Sequence, residues 1–356
     1  MNSANTLQRF NFQNNNFDLI RLLLAFTVFL VHSYELSTAS SLSILSDIFS
    51  SEIAIKSFFI VSGFLIFKSY ENSKSTKSYF IKRIKRIYPL YFFIILVCAF
   101  LGAFFSSYSW QNYFSSSQVI KYVAANLLFL NFLQPNLPGL FESNALQAVN
   151  GALWTLKVEL LFYVFVPIAV YGFQKWKRWP LLVIFYCTSI VYSLVMQHLA
   201  HKMSSGFYLE LQRQLPGQVV FFIAGATAYY YFNYLLKYAH YLIILALLTF
   251  ALRSWLPWVA IQPIALGIIV IYIAYVIPTL GNFSKYGDFS YGIYIVHFPI
   301  LQTFIAYNRF KQNPWQNLLW ASFIVITSAF FLWHTIEKKF LRKSSFYGHA
   351  AKSLST

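Results

Sequence analysis

The stretch FDLIRLLLAFTVFLVHSYEL, residues 17–36, decides how this chain is read. It is long and apolar enough to span a bilayer as a helix, yet it carries Asp18, Arg21, His32 and Glu35. Ionisable groups are costly in hydrocarbon, so they face a bundle interior or a wet cavity. Arg21 and His32 are eleven residues apart. At about 100° per residue both side chains share one helix face, separated by about 16 Å along the axis. Asp18 and Glu35 each lie three residues outside that pair, on nearly the same face. Snorkelling from the ends explains those two acids. It does not explain Arg21 and His32, which are read as a functional pair.

Working outward, composition sets the class. Hydrophobic residues make up 58% of the 356 residues, aromatics 21% and charged residues 10%. A soluble domain carries about 25% charged residues, so the sequence predicts an all-α polytopic membrane protein. Apolar runs fall at 17–36, 53–70, 89–107, 152–173, 180–197, 216–233, 241–252, 259–277, 290–307 and 317–336, which predicts about ten transmembrane helices. The run 118–132 reads as a half-inserted eleventh. The expected organisation is a polar tail over 1–16, one membrane domain over 17–336 and a basic tail over 337–356. No cleaved signal peptide is expected, because the tail lacks a basic region and a small-residue cleavage site. Cys98 and Cys187 lie in apolar runs and read as small core hydrophobes.

The net charge of +17 does not indicate nucleic acid. With ten spans both termini share a side; that side holds eighteen Lys and Arg, against six on the other. The positive-inside rule then puts both termini in the cytoplasm.

Further motifs follow in order. Ser62-Gly63 in mid-span allows close backbone approach and leaves a hydroxyl in the bundle. Lys56 needs a partner, with Asp47 or Glu52 within reach. Lys82, Arg83, Lys85 and Arg86 precede a third span expected to start at Pro89. They read either as a positive-inside anchor touching anionic lipid or as a fork for phosphate oxygens. Residues 108–150 form the longest exposed segment, with aromatics that suit either carbohydrate or a membrane interface. Glu159 sits inside a span, one turn after Thr155 and one before Tyr163. Lys157 lies about 200° round the helix and is a poor partner for it. Ser290, Tyr294 and His297 share a face. His198 and His201 have metal-like spacing without further ligands nearby, so no metal site is expected. Glu337 and the basic tail read as a cytoplasmic cap.

Arg21 and His32, FFIVSGFLI (58–66), KRIKRIYPLY (82–91), WTLKVELLFY (154–163) and GDFSYGIYIVHFPIL (287–301) run in order along nearly the whole chain. Together they resemble acyltransferase family 3, membrane enzymes that O-acylate cell-surface polysaccharides and related glycans. Lys339 stands where the family usually has a proline.

The resemblance implies a ten-helix domain of the bacterial inner membrane that moves an acyl group, acetyl above all, from cytoplasmic acyl-CoA to a glycan hydroxyl. Acyl-CoA is then a substrate, no permanently bound cofactor is implied, and an appended esterase-like domain is not expected. His32 matches the family's catalytic histidine, as general base or as transient acyl carrier. Glu35 would orient its ring, and Arg21 would steady the acyl carbonyl or a CoA phosphate. Lys82, Arg83 and Arg86 fall in the motif that binds CoA phosphates. Ser62, Trp154, Glu159, Tyr294 and His297 match cavity-lining positions with unassigned roles. The rival reading is a transporter or flippase for a lipid-linked sugar, for which inverted repeats and helices broken by Gly or Pro would be expected.

Overall fold

The computed structural model describes residues 15–281 and 287–341. The polar tail over 1–14, Lys285 and the basic tail from residue 342 onward lie outside the described residues. The principal helices are α1 (Phe17–Ser37), α2 (Ser51–Glu71), α3 (Thr76–Phe105), α4 (Ser117–Leu127), α5 (Trp154–Lys175) and α6 (Arg178–Lys202). They continue as α7 (Leu215–Tyr230), α8 (Ala239–Ala251), α9 (Trp258–Tyr275), α10 (Ser290–Ala306) and α11 (Pro314–Leu332). Each of the ten apolar runs coincides with one of these helices. Among the described residues, seven helical segments are long and apolar enough to cross a membrane: Phe17–Ser37, Ser40–Glu71, Thr76–Phe105, Gly151–Lys175, Arg178–Lys202, Trp258–Tyr275 and Pro314–Leu341. Helices α7, α8 and α10 are shorter, at 16, 13 and 17 residues. The protein is an all-α polytopic membrane protein.

Helix α1 packs against α2 and α10, and α10 against α11. The tightest crossing is α2 on α7. A Cβ on Gly63 would sit 2.0 Å from the Phe222 carbonyl oxygen, and one on Gly225 the same distance from that of Ile60. With little hydrophobic drive between helices in lipid, small residues that let backbones touch supply the packing. Buried Asn16 begins α1 by capping the end of α9. Its Nδ2 donates to the Ile273, Ile277 and Pro278 carbonyls, and its Oδ1 accepts from Leu280 N–H. The Ile273 carbonyl lies in the last turn of α9, where acceptors lack a donor within the helix, and Ile277 and Pro278 follow that turn.

Two expectations need correction. Helix α3 does not start at Pro89 but runs through it for 30 residues from Thr76, after a Ser75 cap. A helical proline removes one amide, a loss that membrane helices tolerate when neighbours support the turn. The basic residues Lys82–Arg86 therefore lie on the long helix itself.

The segment 108–150 is not simply exposed. Tyr108 and Trp110 are exposed, but Tyr113, Leu137, Leu140, Asn144 and Asn150 are buried. Asn144 donates to the Gln302 carbonyl and side chain, and Gln302 Nε2 donates to the Ala148 carbonyl, so buried amides sew the loop to α10. Helix α4 covers 117–127 of the supposed half-inserted run and stays outside the set of membrane-length helices.

Glu337, read with the basic tail as a cytoplasmic cap, is itself buried. It is 3% exposed, at the end of a π-helical turn over Trp333–Glu337. The wider turn changes the angular register of the residues after α11.

Candidate active site

At one end of α1, Arg21 meets an acid that sequence reasoning passed over. Its Nη1 donates to Asp288 Oδ2 at 2.6 Å, and Arg86 Nη2 donates to the same oxygen at 2.5 Å. Asp288 Oδ1 accepts from the Ser290 hydroxyl at 2.5 Å and from the Ser290 amide at 3.3 Å. Arg86 Nη1 also donates to Glu337 Oε2 at 3.3 Å, while buried Glu337 Oε1 has no hydrogen-bond partner among the described residues. Burial alone would raise the Asp288 pKa, but the Arg21 and Arg86 guanidiniums outweigh it and hold the carboxyl well below its ordinary range. Gly287 brings this acid in. Its φ of +127° suits glycine, and a Cβ there would lie 2.3 Å from the Trp333 indole nitrogen. The cluster ties α1, α3, α10 and the turn after α11 together.

At the other end, His32 Nδ1 is 2.9 Å from His297 Nε2, with the rings near-parallel and their centroids 5.2 Å apart. His297 Nδ1 faces the Ile293 carbonyl at 3.3 Å, and the residue is fully buried. Glu35 Oε2 stands 3.8 Å from His32 Nε2, while Glu35 Oε1 accepts from the Ser51 hydroxyl at 3.2 Å. Phe298 meets the His32 ring edge-on at 5.9 Å. Local sequence explains the rigidity of this turn. Pro299 has no N–H, so the Ile295 carbonyl one turn back loses its helical donor. Asn150 Nδ2 replaces it at 2.8 Å. Tyr294 is fixed in turn by the Thr155 hydroxyl at 2.7 Å.

Helix α5 connects the two ends. Glu159 accepts from Tyr163 at 2.6 Å, and the Arg83 guanidinium lies 5.8 Å from the centroid of the Tyr163 ring. Lys157 turns away from Glu159 onto the Phe132 ring. Trp154 is half-buried at the start of the helix. On α2, Ser62 is half-buried and makes no side-chain hydrogen bond among the described residues. Lys56 pairs with Glu52, as its spacing allowed, and donates to Gln262 Oε1 at 2.8 Å. Lys82 donates to Ser73 and Arg83 to Ser69, both near the turn from α2 into α3. A cavity of about 400 Å³ opens there, lined by Tyr70, Glu71, Ser73, Thr76, Phe173 and Arg178.

The structure thus brings His32, His297 and Glu35 together and, by its ring contact with His297 at 5.7 Å, Tyr294 as well. It separates them from Arg21, which joins Arg86, and from Lys82 and Arg83 at the α2–α3 turn. Asp288, Asn150 and Ser51 escaped sequence reasoning. Asp288 carried a usable signal, as one of only ten acidic residues, directly before a helix. Asn150 and Ser51 carried none beyond their positions at helix starts.

A family model described as an acyltransferase domain matches residues 14–335. An O-acetyl transferase of Shigella phage Sf6 is 25% identical over 337 residues, covering 94% of this chain and 98% of that protein. Nodulation protein 10 of Rhizobium leguminosarum bv. viciae is 26% identical over 318 residues, covering 82% of this chain and 84% of its own. A peptidoglycan O-acetyltransferase of Listeria monocytogenes is 26% identical over 37% of this chain and 22% of its own. No solved structure matches. With the family model spanning both ends of α1 and the helices between them, this chain belongs to acyltransferase family 3, a family of membrane acyltransferases.

Proposed function

We propose that the protein is an O-acyltransferase of the bacterial inner membrane, with about ten crossings and both termini in the cytoplasm. It transfers an acyl group, acetyl above all, from cytoplasmic acyl-CoA to a hydroxyl of a cell-surface polysaccharide or related glycan. The observation that carries this reading is the His32 imidazole, buried against His297 with Glu35 just beyond its second nitrogen. The distribution of Lys and Arg supports the orientation, and two of the relatives are named for O-acetyl transfer.

A sugar hydroxyl is too weak an acid to attack a thioester unaided. His32 takes its proton as the oxygen bonds to the acyl carbon. Glu35 stabilises the resulting imidazolium. The carbon–sulfur bond then breaks, the electron pair leaves with sulfur, and the CoA thiolate receives the proton. Lys82 and Arg83, beside the 400 Å³ cavity, bind CoA phosphates, and Arg86 adds positive charge at the same end. Arg21 holds α1 in register with Asp288 rather than reaching the acyl carbonyl. Thr155, Glu159 and Tyr294 offer hydroxyl and carboxyl groups along the way from one end to the other, and Ser62 and Trp154 complete the polar and aromatic lining.

The test is acylation of surface glycan in cells carrying His32→Ala, read by mass spectrometry. Loss of the acyl group is expected; full acylation would defeat the reading. Purified protein should also release free thiol from acetyl-CoA when supplied with glycan from a strain lacking it, whereas a transporter of lipid-linked sugar would release none.

A further inference from the structure

We infer that His297 is a positioning residue that fixes which nitrogen of His32 carries the proton, an inference that rests on reading His32 as the base. The chain of atoms starts at the Ile293 carbonyl, which can only accept. His297 Nδ1 lies 3.3 Å from it. A bare Nδ1 would set lone pair against lone pair, so the ring proton belongs on Nδ1. A neutral imidazole has one N–H. His297 Nε2 is therefore bare and accepts, and His32 Nδ1, 2.9 Å away, must donate. That leaves the lone pair of His32 on Nε2, the nitrogen facing Glu35 across 3.8 Å. The base is thus presented on the side where a hydroxyl can approach, and the carboxylate is already in position for the imidazolium.

The opposite tautomer would put a proton on Nε2, toward Glu35, and remove the base. Three features keep His297 from yielding to it. The residue is fully buried, so water does not replace its acceptor. Its helix turn is pinned on one side by the Asn150 bond to the Ile295 carbonyl. On the other side it is held by the Tyr294–Thr155 contact. Glu35 is itself steadied by Ser51, which uses the carboxylate oxygen that does not face His32. Loss of the correct histidine tautomer costs about 10⁴ in kcat in a Ser-His-Asp triad, which sets the scale of what such a partner controls.

The experiment is ¹⁵N NMR of the full chain, labelled at histidine and held in lipid nanodiscs, with His32 assigned from the spectrum of His32→Gln. The expected result is a protonated Nδ1 and a bare Nε2 on His32. In His297→Phe the proton should move to Nε2. Thiol release from acetyl-CoA, with glycan from a strain lacking the protein as acceptor, should then fall about 10²-fold or more in kcat at unchanged KM for acetyl-CoA. His297→Gln can offer an oxygen near the lost Nε2. It should keep the Nδ1 proton on His32 and exceed the Phe variant at least about tenfold. A wild-type His32 protonated on Nε2, or Gln and Phe variants that behave alike, would overturn the inference. If His32→Ala keeps full activity while His32 shows the expected tautomer, the base assignment fails and the positioning by His297 stands.

Discussion

At its Arg21 end, α1 enters a cluster of two guanidiniums and two carboxylates, all largely closed to water. Three turns on, at His32, it meets a second imidazole and one acid whose side chain is 47% exposed. At the first end formal charges face one another across 2.5 and 2.6 Å, and most hydrogen-bonding capacity of Asp288 is used. At the second end the rings carry no charge in the arrangement inferred above, and one nitrogen is left without a hydrogen bond. The difference teaches what each end can do. A buried ion cluster is costly to rearrange, so it suits holding helices in register. A neutral ring with a free lone pair beside an accessible carboxylate suits moving a proton. The same helix face that looks uniform in sequence is divided between support and chemistry.

The sharpest way to break that division is to remove one member from each end and compare. His32→Ala should lower acyl transfer by about 10²–10⁴-fold. The melting temperature in detergent should fall less than that of Asp288→Ala, since His32 leaves no charge behind and only one neutral acceptor, His297 Nε2, without its partner. Asp288→Ala should do the reverse in character. It leaves two half-buried guanidiniums without their shared anion, a loss of up to about 3 kcal/mol of stability, with activity falling because the fold does. Because the folded carboxyl titrates below its ordinary range, this stabilisation is present in full above about pH 4 and is lost as pH falls below that. The melting gap between wild type and Asp288→Ala should therefore be flat through neutral pH and close only in acid. If His32→Ala melts as early as Asp288→Ala, the two ends are not divided as argued.

How much of this was legible follows the range of each interaction. The Arg21–His32 face was readable because eleven residues is close to three helical turns. The Ser290–Tyr294–His297 face was readable for the same reason, although Ser290 goes to Asp288 and only the other two join the histidine end. What periodicity does not encode is the far partner. Asp288 is 267 residues from Arg21, and His297 is 265 from His32, so those pairings depend on how α10 docks. Glu337 was read only as part of a cap, because its partner Arg86 is 251 residues away in the chain. Residues 108–150 were misread because polarity marks a loop without revealing that its amides are buried.

A smaller effect sharpens the histidine end. Asn150→Ala would leave the Ile295 carbonyl, already stripped of its helical donor by Pro299, buried without a partner. The expected cost is about 1–3 kcal/mol, seen as a lower melting temperature. Because the affected turn carries His297, thiol release should fall further than the same loss of stability produces at a site remote from α10. Equal activity per folded molecule would show that the proline turn holds its shape without the amide.

The smallest effect is expected at Glu337, and it tests whether the charged end is centred on Asp288 alone. Glu337 reaches Arg86 through one contact at 3.3 Å, against 2.5 Å for Asp288, and its other oxygen has no partner among the described residues. A carboxylate that neutralised Arg86 would be expected to use both oxygens, as charge-assisted pairs with arginine commonly do. Glu337→Gln keeps the shape and the single acceptor while removing any charge. If Asp288 serves both arginines, this substitution should change stability by no more than about 1 kcal/mol, within the range of one ordinary hydrogen bond. Thermal melting of Glu337→Gln beside Asp288→Asn would read the difference directly. A Gln variant that falls as far as the Asn variant would mean that two carboxylates share the load, and the support at the Arg21 end would be a four-membered lattice instead of two arginines on one aspartate.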